Sequence, residues 1–253
     1  MWDPAVYRRF GSERSRPFFD LVARIDATAP RAVVDLGCGP GELTRTLAER
    51  WPQAQVTGID SAPEMIEKAA AGAGPVAFHL GDIATWQPGP DTDVLVTNAA
   101  LQWVPGHQEM LSRWATGLPS GAWLAMQVPG NFDAPSHRLL RATAARYGAA
   151  HVLREAPVDH PVDYAARLTE AGATVDAWET TYLHLLPTDG ADHPVLRWIE
   201  GTALRPVRAA LDDDTWTAFR ADLAGRIAEA YPARGHLVAF PFRRIFVVAR
   251  TAS

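Results

Sequence analysis

The chain has 253 residues, is 47% hydrophobic and 21% charged, and carries a formal net charge of −5. That apolar content is enough for a sizeable core and excludes a disordered chain, and the single cysteine, Cys38, excludes a small disulfide scaffold. The negative balance argues against a dedicated nucleic-acid binder, whose affinity needs a basic footprint.

Residues 1–30 read as helical with a break at Pro17, which suits a first helical turn because its missing N–H is no loss there. From Arg31 the pattern becomes strand–helix alternation. Ala32 to Leu36 reads as a short β-branched strand followed by a glycine turn, and Glu42 to Arg50 as a helix. Gln55 to Ile59 is a second strand, and Ala62 to Ala69 a second helix with Ser61 as its expected cap. Val76 to Leu80, Asp93 to Asn98 and Ala122 to Val128 complete five strands, an alternation that implies a mostly parallel sheet covered by helices on both faces.

The second half differs. Residues 134–161 read as helix and irregular structure. Asp163 to Gly172 reads as a helix ending at a C′ glycine, and Thr174 to His184 as a strand. Residues 192–230 read as helices, with Asp212-Asp213-Asp214 opening one of them, and Phe242 to Arg250 is the last strand. The helical region 192–230 is thus an insertion between the last two strands, placed to act as a lid. The start of the chain has no continuous apolar stretch of the signal-peptide kind. No run approaches the ~18 apolar residues of a membrane span, so a cytoplasmic protein is expected.

The strongest motif is Val33-Val34-Asp35-Leu36-Gly37-Cys38-Gly39-Pro40-Gly41. A glycine-rich turn between strand and helix lets a ligand approach the backbone. A dinucleotide fingerprint wants glycine or alanine where this chain has Glu42, and a carboxylate at a helix N-terminus would repel a pyrophosphate. No lysine follows the turn, so a P-loop is excluded. Asp35, two residues before the first glycine, suits a ligand carrying an ammonium group. Asp60 ends the second strand, where an acid can accept from both ribose hydroxyls. Asp82 follows the third strand and can accept from an adenine amino group while Ile83 packs on the ring. An amine, a ribose diol and an adenine without a phosphate describe S-adenosylmethionine.

With these residues the chain resembles the class I S-adenosylmethionine-dependent methyltransferases, and within them the trans-aconitate methyltransferase family, over nearly its whole length. The distinctive pieces are Glu13-Arg14-Ser15-Arg16-Pro17, Gly58 to Met65, Asn98-Ala99-Ala100-Leu101-Gln102-Trp103-Val104, Gln127-Val128-Pro129-Gly130-Asn131, Ala203-Leu204-Arg205-Pro206 and Phe240 to Phe246. The resemblance implies an α/β, Rossmann-like fold: one domain over 1–253, a mostly parallel seven-stranded sheet with the last strand antiparallel, an N-terminal helical segment at 1–30, and helical cap insertions at 134–161 and 192–230. It further implies that Gly37, Gly39 and Gly41 lie under the methionine part of the cofactor, with Ser61 and Met65 beside Asp60. Asp82 and Ile83 would frame the adenine, and Asn98 would sit near the sulfonium.

The reaction so implied is methyl transfer to a carboxylate, giving a monomethyl ester. A carboxylate is already ionised at neutral pH, so no general base is expected. Alignment and exclusion of water would carry the rate. The remaining carboxylates of a polyanionic acceptor call for arginine, which pairs bidentately. Of the 24 cationic residues only Lys68 is not an arginine, a bias that base composition accounts for in the main. The candidates are Arg205, Arg243 and Arg244, with Arg14 and Arg16. Arg243 and Arg244 are adjacent in a strand and face opposite ways. Gln102, Trp103 and Asn131 follow strand ends, where open α/β sheets bind ligands, and Trp103 could wall off the methyl group. His137 is a possible carboxylate partner. The histidines show no metal-ligand spacing, and Asp212-Asp213-Asp214 reads as a helix cap, so no metal is expected.

The alternative acceptor is another acid, or an oxygen or nitrogen of a secondary metabolite. Glu42 and Asp35 oppose an NAD-dependent oxidoreductase, and intact glycines and acids oppose a scaffold that has lost catalysis. The expected partner is a small carboxylate, with no nucleic acid, membrane or metal, and a monomer is favoured.

Overall fold

The computed structural model describes residues 15–252; Arg14 and the first part of the expected N-terminal helix lie outside them. Helix α1 runs Arg16–Val22 with Pro17 in its first turn and buries Phe18, Phe19, Leu21 and Val22. It is shorter than expected. Arg24 and Ile25 donate to carbonyls three residues back, which tightens the helix into a turn before Pro30.

Ala32–Leu36 forms β1, and Val33 and Leu36 within it have no exposed surface. Burial of a side chain of this size contributes about 1.5–3 kcal/mol. The further elements are α2 (Glu42–Arg50), β2 (Gln55–Asp60), α3 (Pro63–Ala71), β3 (Val76–Leu80) and β4 (Thr92–Asn98). A 3-10 turn at Leu101–Trp103, α4 (His107–Gly117) and β5 (Trp123–Pro129) follow. Helix α4 is not among the expected elements. It starts at Gly106 in a left-handed conformation without a capping side chain, and it buries Met110, Leu111, Trp114 and Ala115. Ser61 does not cap α3. The helix opens at Ala62 with Pro63 next, and the Ala62 N–H donates to Asp60 Oδ1 at 2.9 Å.

The chain continues through α5 (Pro135–Arg146), a 3-10 turn at Ala150–Val152, α6 (Pro161–Glu170) and β6 (Thr174–Pro187). It ends with α7 (Pro194–Glu200), α8 (Arg205–Ala210), α9 (Asp213–Ala230) and β7 (Leu237–Arg250). Helix α6 stops as expected: Gly172 has φ +87°, its N–H donates to Thr169 O, and Ala173 N–H to Leu168 O. Asp212 caps α9 by accepting from Thr215 N–H at 2.8 Å.

The seven strands form one sheet in the order β3-β2-β1-β4-β5-β7-β6. The pairs β1–β2, β2–β3, β1–β4 and β4–β5 are parallel, whereas β7 runs antiparallel to β5, as expected. Successive crossovers go one way from β1 to β3 and then return to the other side of β1. The order therefore reverses between β1 and β4, and ligands bind at the carboxyl ends of the strands at such a point.

The described chain divides into two compact units. The first holds residues 15–129, 159–180 and 244–252, and the second holds 130–158 and 181–243. The expected insertions fall largely in the second unit, but its boundaries lie elsewhere because β6 and β7 are each 14 residues long. Along β7, Val238, Phe240 and Phe242 are buried in alternation, and from Arg244 to Ala249 burial is continuous. Pro241 thus lies inside a strand, on an exposed position. The core of the second unit gathers Leu196, Ile199, Phe219, Leu223, Ile227 and Phe240, among others.

Candidate active site

The site in the first unit is built on the glycine turn after β1. Gly37 and Cys38 N–H groups both donate to Ile59 O, at 2.8 and 3.1 Å, which draws the turn to the end of β2. Gly39 N–H donates to Asp60 Oδ2 at 2.9 Å. Asp60 thus clasps both the turn, through Oδ2, and the start of α3, through Oδ1. A carboxylate has about four lone-pair positions, so Asp60 keeps acceptor capacity for a ligand. Gly37, Gly39 and Gly41 all have φ between +54° and +78°, backbone that L side chains rarely adopt.

Two of these glycines meet different surroundings. A Cβ at Gly37 would collide with that of Ala100 and come within 3.4 Å of Ile83 Cδ1. A Cβ at Gly39 would meet nothing within 4 Å. The turn is therefore packed on one side against the segments after β3 and β4, and open at Gly39. Ala99, with φ +55°, is the non-glycine residue of positive φ among those described, and it follows directly on β4. Strain of this kind clusters at ligand sites.

Asp35 is buried, and Thr44 Oγ1 donates to its Oδ2 at 2.6 Å. Burial is the main cause that pushes its carboxyl up to about 6, opposed by the Thr44 hydrogen bond and helped by the charge of Asp60. A cation placed beside it would relieve that cost. Burial also pushes the Cys38 thiol up to about 12, with Asp35 and Asp60 adding to the shift. Asp82 is exposed and accepts from Ala84 N–H at 2.9 Å, and Ile83 is buried. Met65 is half-buried and Ser61 exposed.

Asn98 ends β4, and its Oδ1 is buried without a hydrogen-bond partner. In parallel register it pairs with Gln127 of β5, whose Nε2 is likewise buried and unpartnered. An unmet buried polar group costs about 1–3 kcal/mol, and a ligand at these neighbouring strand ends would satisfy both. An amide oxygen short of a donor, open space at Gly39 and a buried carboxylate beside the turn fit a ligand that carries an ammonium group.

The expected acceptor residues separate. Gln102 is half-buried, and its Nε2 donates to Ala99 O at 2.6 Å. Trp103 is 54% exposed, which excludes core packing for it. Arg244 is buried and donates to Gln127 Oε1 at 3.3 Å. Arg16, on α1, lies 3.6 Å from Asp20 with much of its side chain exposed. In the second unit, Arg205 is exposed on α8. Arg243 is half-buried and donates to Gly130 O at 3.4 Å. Asn131 is buried, with Nδ2 donating to Arg243 O at 2.9 Å and Oδ1 accepting from Arg243 N–H at 2.8 Å. These two hydrogen bonds tie the Asn131 amide to the Arg243 backbone.

Two features escaped the sequence reading. Gln127 is one; a polar residue inside the apolar run of β5 is its signal. The other is a group of cations in the second unit. Arg141 lies 3.6 Å over the Phe132 ring and Arg154 5.7 Å over the same ring. Burial, then Arg141 and Arg154, push His137 down to about 4, so it is neutral near neutral pH. Among the described residues no group of three His, Cys, Asp or Glu is placed to hold a metal ion, and no helix is long and apolar enough to cross a membrane.

A family model described as a methyltransferase domain matches residues 33–121, the stretch from β1 to just before β5. The chain is 57% identical to a trans-aconitate 2-methyltransferase of Mycobacterium sp. (strain KMS), over 99% of this chain and all of that relative. Identity to the relative of the same name from Rhodococcus jostii (strain RHA1) is 55%, over 99% of each chain. For the one from Mycobacterium tuberculosis (strain ATCC 25177 / H37Ra) it is 50%, over 98% and 96%. Among solved structures, the YcgJ protein of Bacillus subtilis superposes with a TM-score of 0.58 at 16% identity, covering 94% of this chain and 99% of that one. Haemonchus contortus phosphoethanolamine N-methyltransferase 2, solved with S-adenosyl-L-methionine, has a TM-score of 0.58 at 12% identity, covering 98% and 56%. At those identities the two structures share the fold.

Proposed function

The chain belongs to the trans-aconitate 2-methyltransferase family, and from that premise we propose that it methylates one carboxylate of a small polycarboxylic acid, trans-aconitate first among them. The methyl donor is S-adenosylmethionine and the products are a monomethyl ester and S-adenosylhomocysteine. The observation that carries the cofactor half is the set of groups around the glycine turn: Asp35, Asp60 and the unpartnered Asn98 Oδ1, with open space at Gly39. When bound, the cofactor supplies an electrophilic methyl group on a sulfonium.

This chain's residues bind and orient. Asp35 receives the ammonium group of the methionine moiety, Asn98 sits near the sulfonium, Gly37, Gly39 and Gly41 let the methionine moiety approach the backbone, and Asp60 accepts from the ribose hydroxyls. Asp82 and Ile83 frame the adenine, and Ser61 and Met65 lie beside Asp60. Arg244, with Arg16 and Arg14 from the N-terminal segment, supplies positive charge for the carboxylates; Arg243 and Arg205 are the cationic candidates of the second unit. Gln102 and Trp103 border the acceptor, and Asn131 acts through the backbone of Arg243. No proton has to move, because the attacking carboxylate is ionised at neutral pH.

Titration calorimetry tests the cofactor half. S-adenosylmethionine and S-adenosylhomocysteine are expected to bind, and NAD is not. Product mass after incubation with trans-aconitate tests the acceptor half: the gain of a single methyl group is expected. Cofactor binding with no ester from any small acid would remove the polycarboxylate assignment.

A further inference from the structure

β5 is buried from Leu124 to Val128 and apolar there except at Gln127, whose side chain has no exposed surface. The two ends of this buried amide are in different states. Oε1 accepts from Arg244 Nη1 at 3.3 Å. A guanidinium donates and never accepts, so this bond decides which end of the amide faces Arg244. Nε2, the other end, has no partner.

Strand register says where that donor lies. Gln127 pairs with Asn98 in the parallel direction and with Phe246 in the antiparallel one. Directly paired residues leave a sheet on the same face, and residues two apart on a strand do so as well. Asn98, Gln127 and Arg244 therefore share one face at the carboxyl ends of β4 and β5, and Arg243 belongs to the other. On that face stand an unmet acceptor, Asn98 Oδ1, and an unmet donor, Gln127 Nε2.

We propose that Gln127 Nε2 donates to a carboxylate oxygen of the methyl acceptor, and that Arg244 is a positioning residue that holds the amide with its donor outward. A carboxylate accepts and has nothing to donate, so it matches Gln127 Nε2 and not Asn98 Oδ1. The buried Arg244 guanidinium behind the amide adds a field that favours an anion. The inference rests on the acid-methylating reading above and names the group that recognises the acid.

Two variants test it by their order. Q127L removes the donor and leaves Arg244 without its Oε1 partner. Q127E keeps an oxygen for Arg244 and turns the outward atom from donor to acceptor. The readouts are KM for trans-aconitate and the Kd of an unreactive saturated tricarboxylate, tricarballylate, with the Kd of S-adenosylmethionine as control. The expected result is that acid affinity falls about 10-fold in Q127L and further, about 100-fold, in Q127E, a loss of one and two tenfold steps, while cofactor affinity stays within about twofold in both. A purely structural role gives the reverse order, because Q127E preserves the bond to Arg244. Equal or reversed losses, or a wild-type protein that binds no tricarboxylate, would overturn the inference. If the wild type binds tricarballylate and the variants fall in the expected order but no acid is methylated, the carboxylate site stands and the proposed reaction falls.

Discussion

Asp35 couples the glycine turn to pH. Its carboxyl is raised from 3.8 to about 6 by burial, so the cofactor-free folded protein holds a proton that the unfolded chain has released. Asp35's own contribution to stability is therefore fully present below pH 3.8 and is lost as pH rises through 6. An ammonium group beside Asp35 reverses the preference and requires the carboxylate form. Cofactor binding should then release a proton below pH 6, with affinity falling up to about tenfold per pH unit as pH drops. Calorimetry between pH 5 and 8 in buffers of different ionisation enthalpy measures both. In D35N the slope should disappear and affinity at pH 7.5 should fall; an unchanged slope would remove Asp35 from the ammonium site. Cys38 sits in the same turn with its thiol pushed up to about 12. The thiolate is the reactive form, so iodoacetamide at pH 8 should leave Cys38 unmodified in the folded protein, as peptide mass mapping would reveal.

At the scale of elements, the turn after β1 separates folding from binding. A Cβ at Gly37 collides with Ala100, whereas one at Gly39 enters open space. Both positions have positive φ, which costs a non-glycine residue about 1–2 kcal/mol. G37A should therefore lose stability beyond that cost, about 2–4 kcal/mol in total. G39A should stay folded near the strain cost alone and lose cofactor affinity by at least about tenfold, because its methyl group occupies the space a ligand would fill. Thermal melts paired with calorimetry separate the two effects, and a G39A protein that binds cofactor normally would contradict the placement.

The same scale explains what the amino-acid order reveals. The strands were legible because buried parallel strands are short apolar runs bounded by turn residues, as in Ala32–Leu36 and Val76–Leu80. The turn and its acids were legible because their spacing along the chain is itself the geometry. Helix α4 was not, since Gly106 offers no capping side chain. Ser61 looked like a cap, but Asp60 reaches the Ala62 N–H first. Asn131 looked like a ligand contact because it follows a strand end, and only the fold supplies the Arg243 backbone that engages it. Gln127 carries a local signal, a polar residue in an apolar strand, but its Arg244 partner lies far along the chain, and Arg141 and Arg154 meet at the Phe132 ring only in the fold.

At the scale of the whole molecule, one sheet supplies the site and the two long strands β6 and β7 carry the chain into the second unit. The fold is shared with structures as little as 12% identical. The cations of the second unit, Arg141 and Arg154 around Phe132 with His137 between charges, are of the right kind for a polyanion. The central claim is that this fold methylates a small polycarboxylate. Its most direct test is turnover with S-adenosylmethionine across trans-aconitate, cis-aconitate, citrate and isocitrate, following S-adenosylhomocysteine and product mass together. A monomethyl ester formed with highest kcat/KM from trans-aconitate is the predicted result; S-adenosylmethionine bound but no ester from any of the four acids would contradict it.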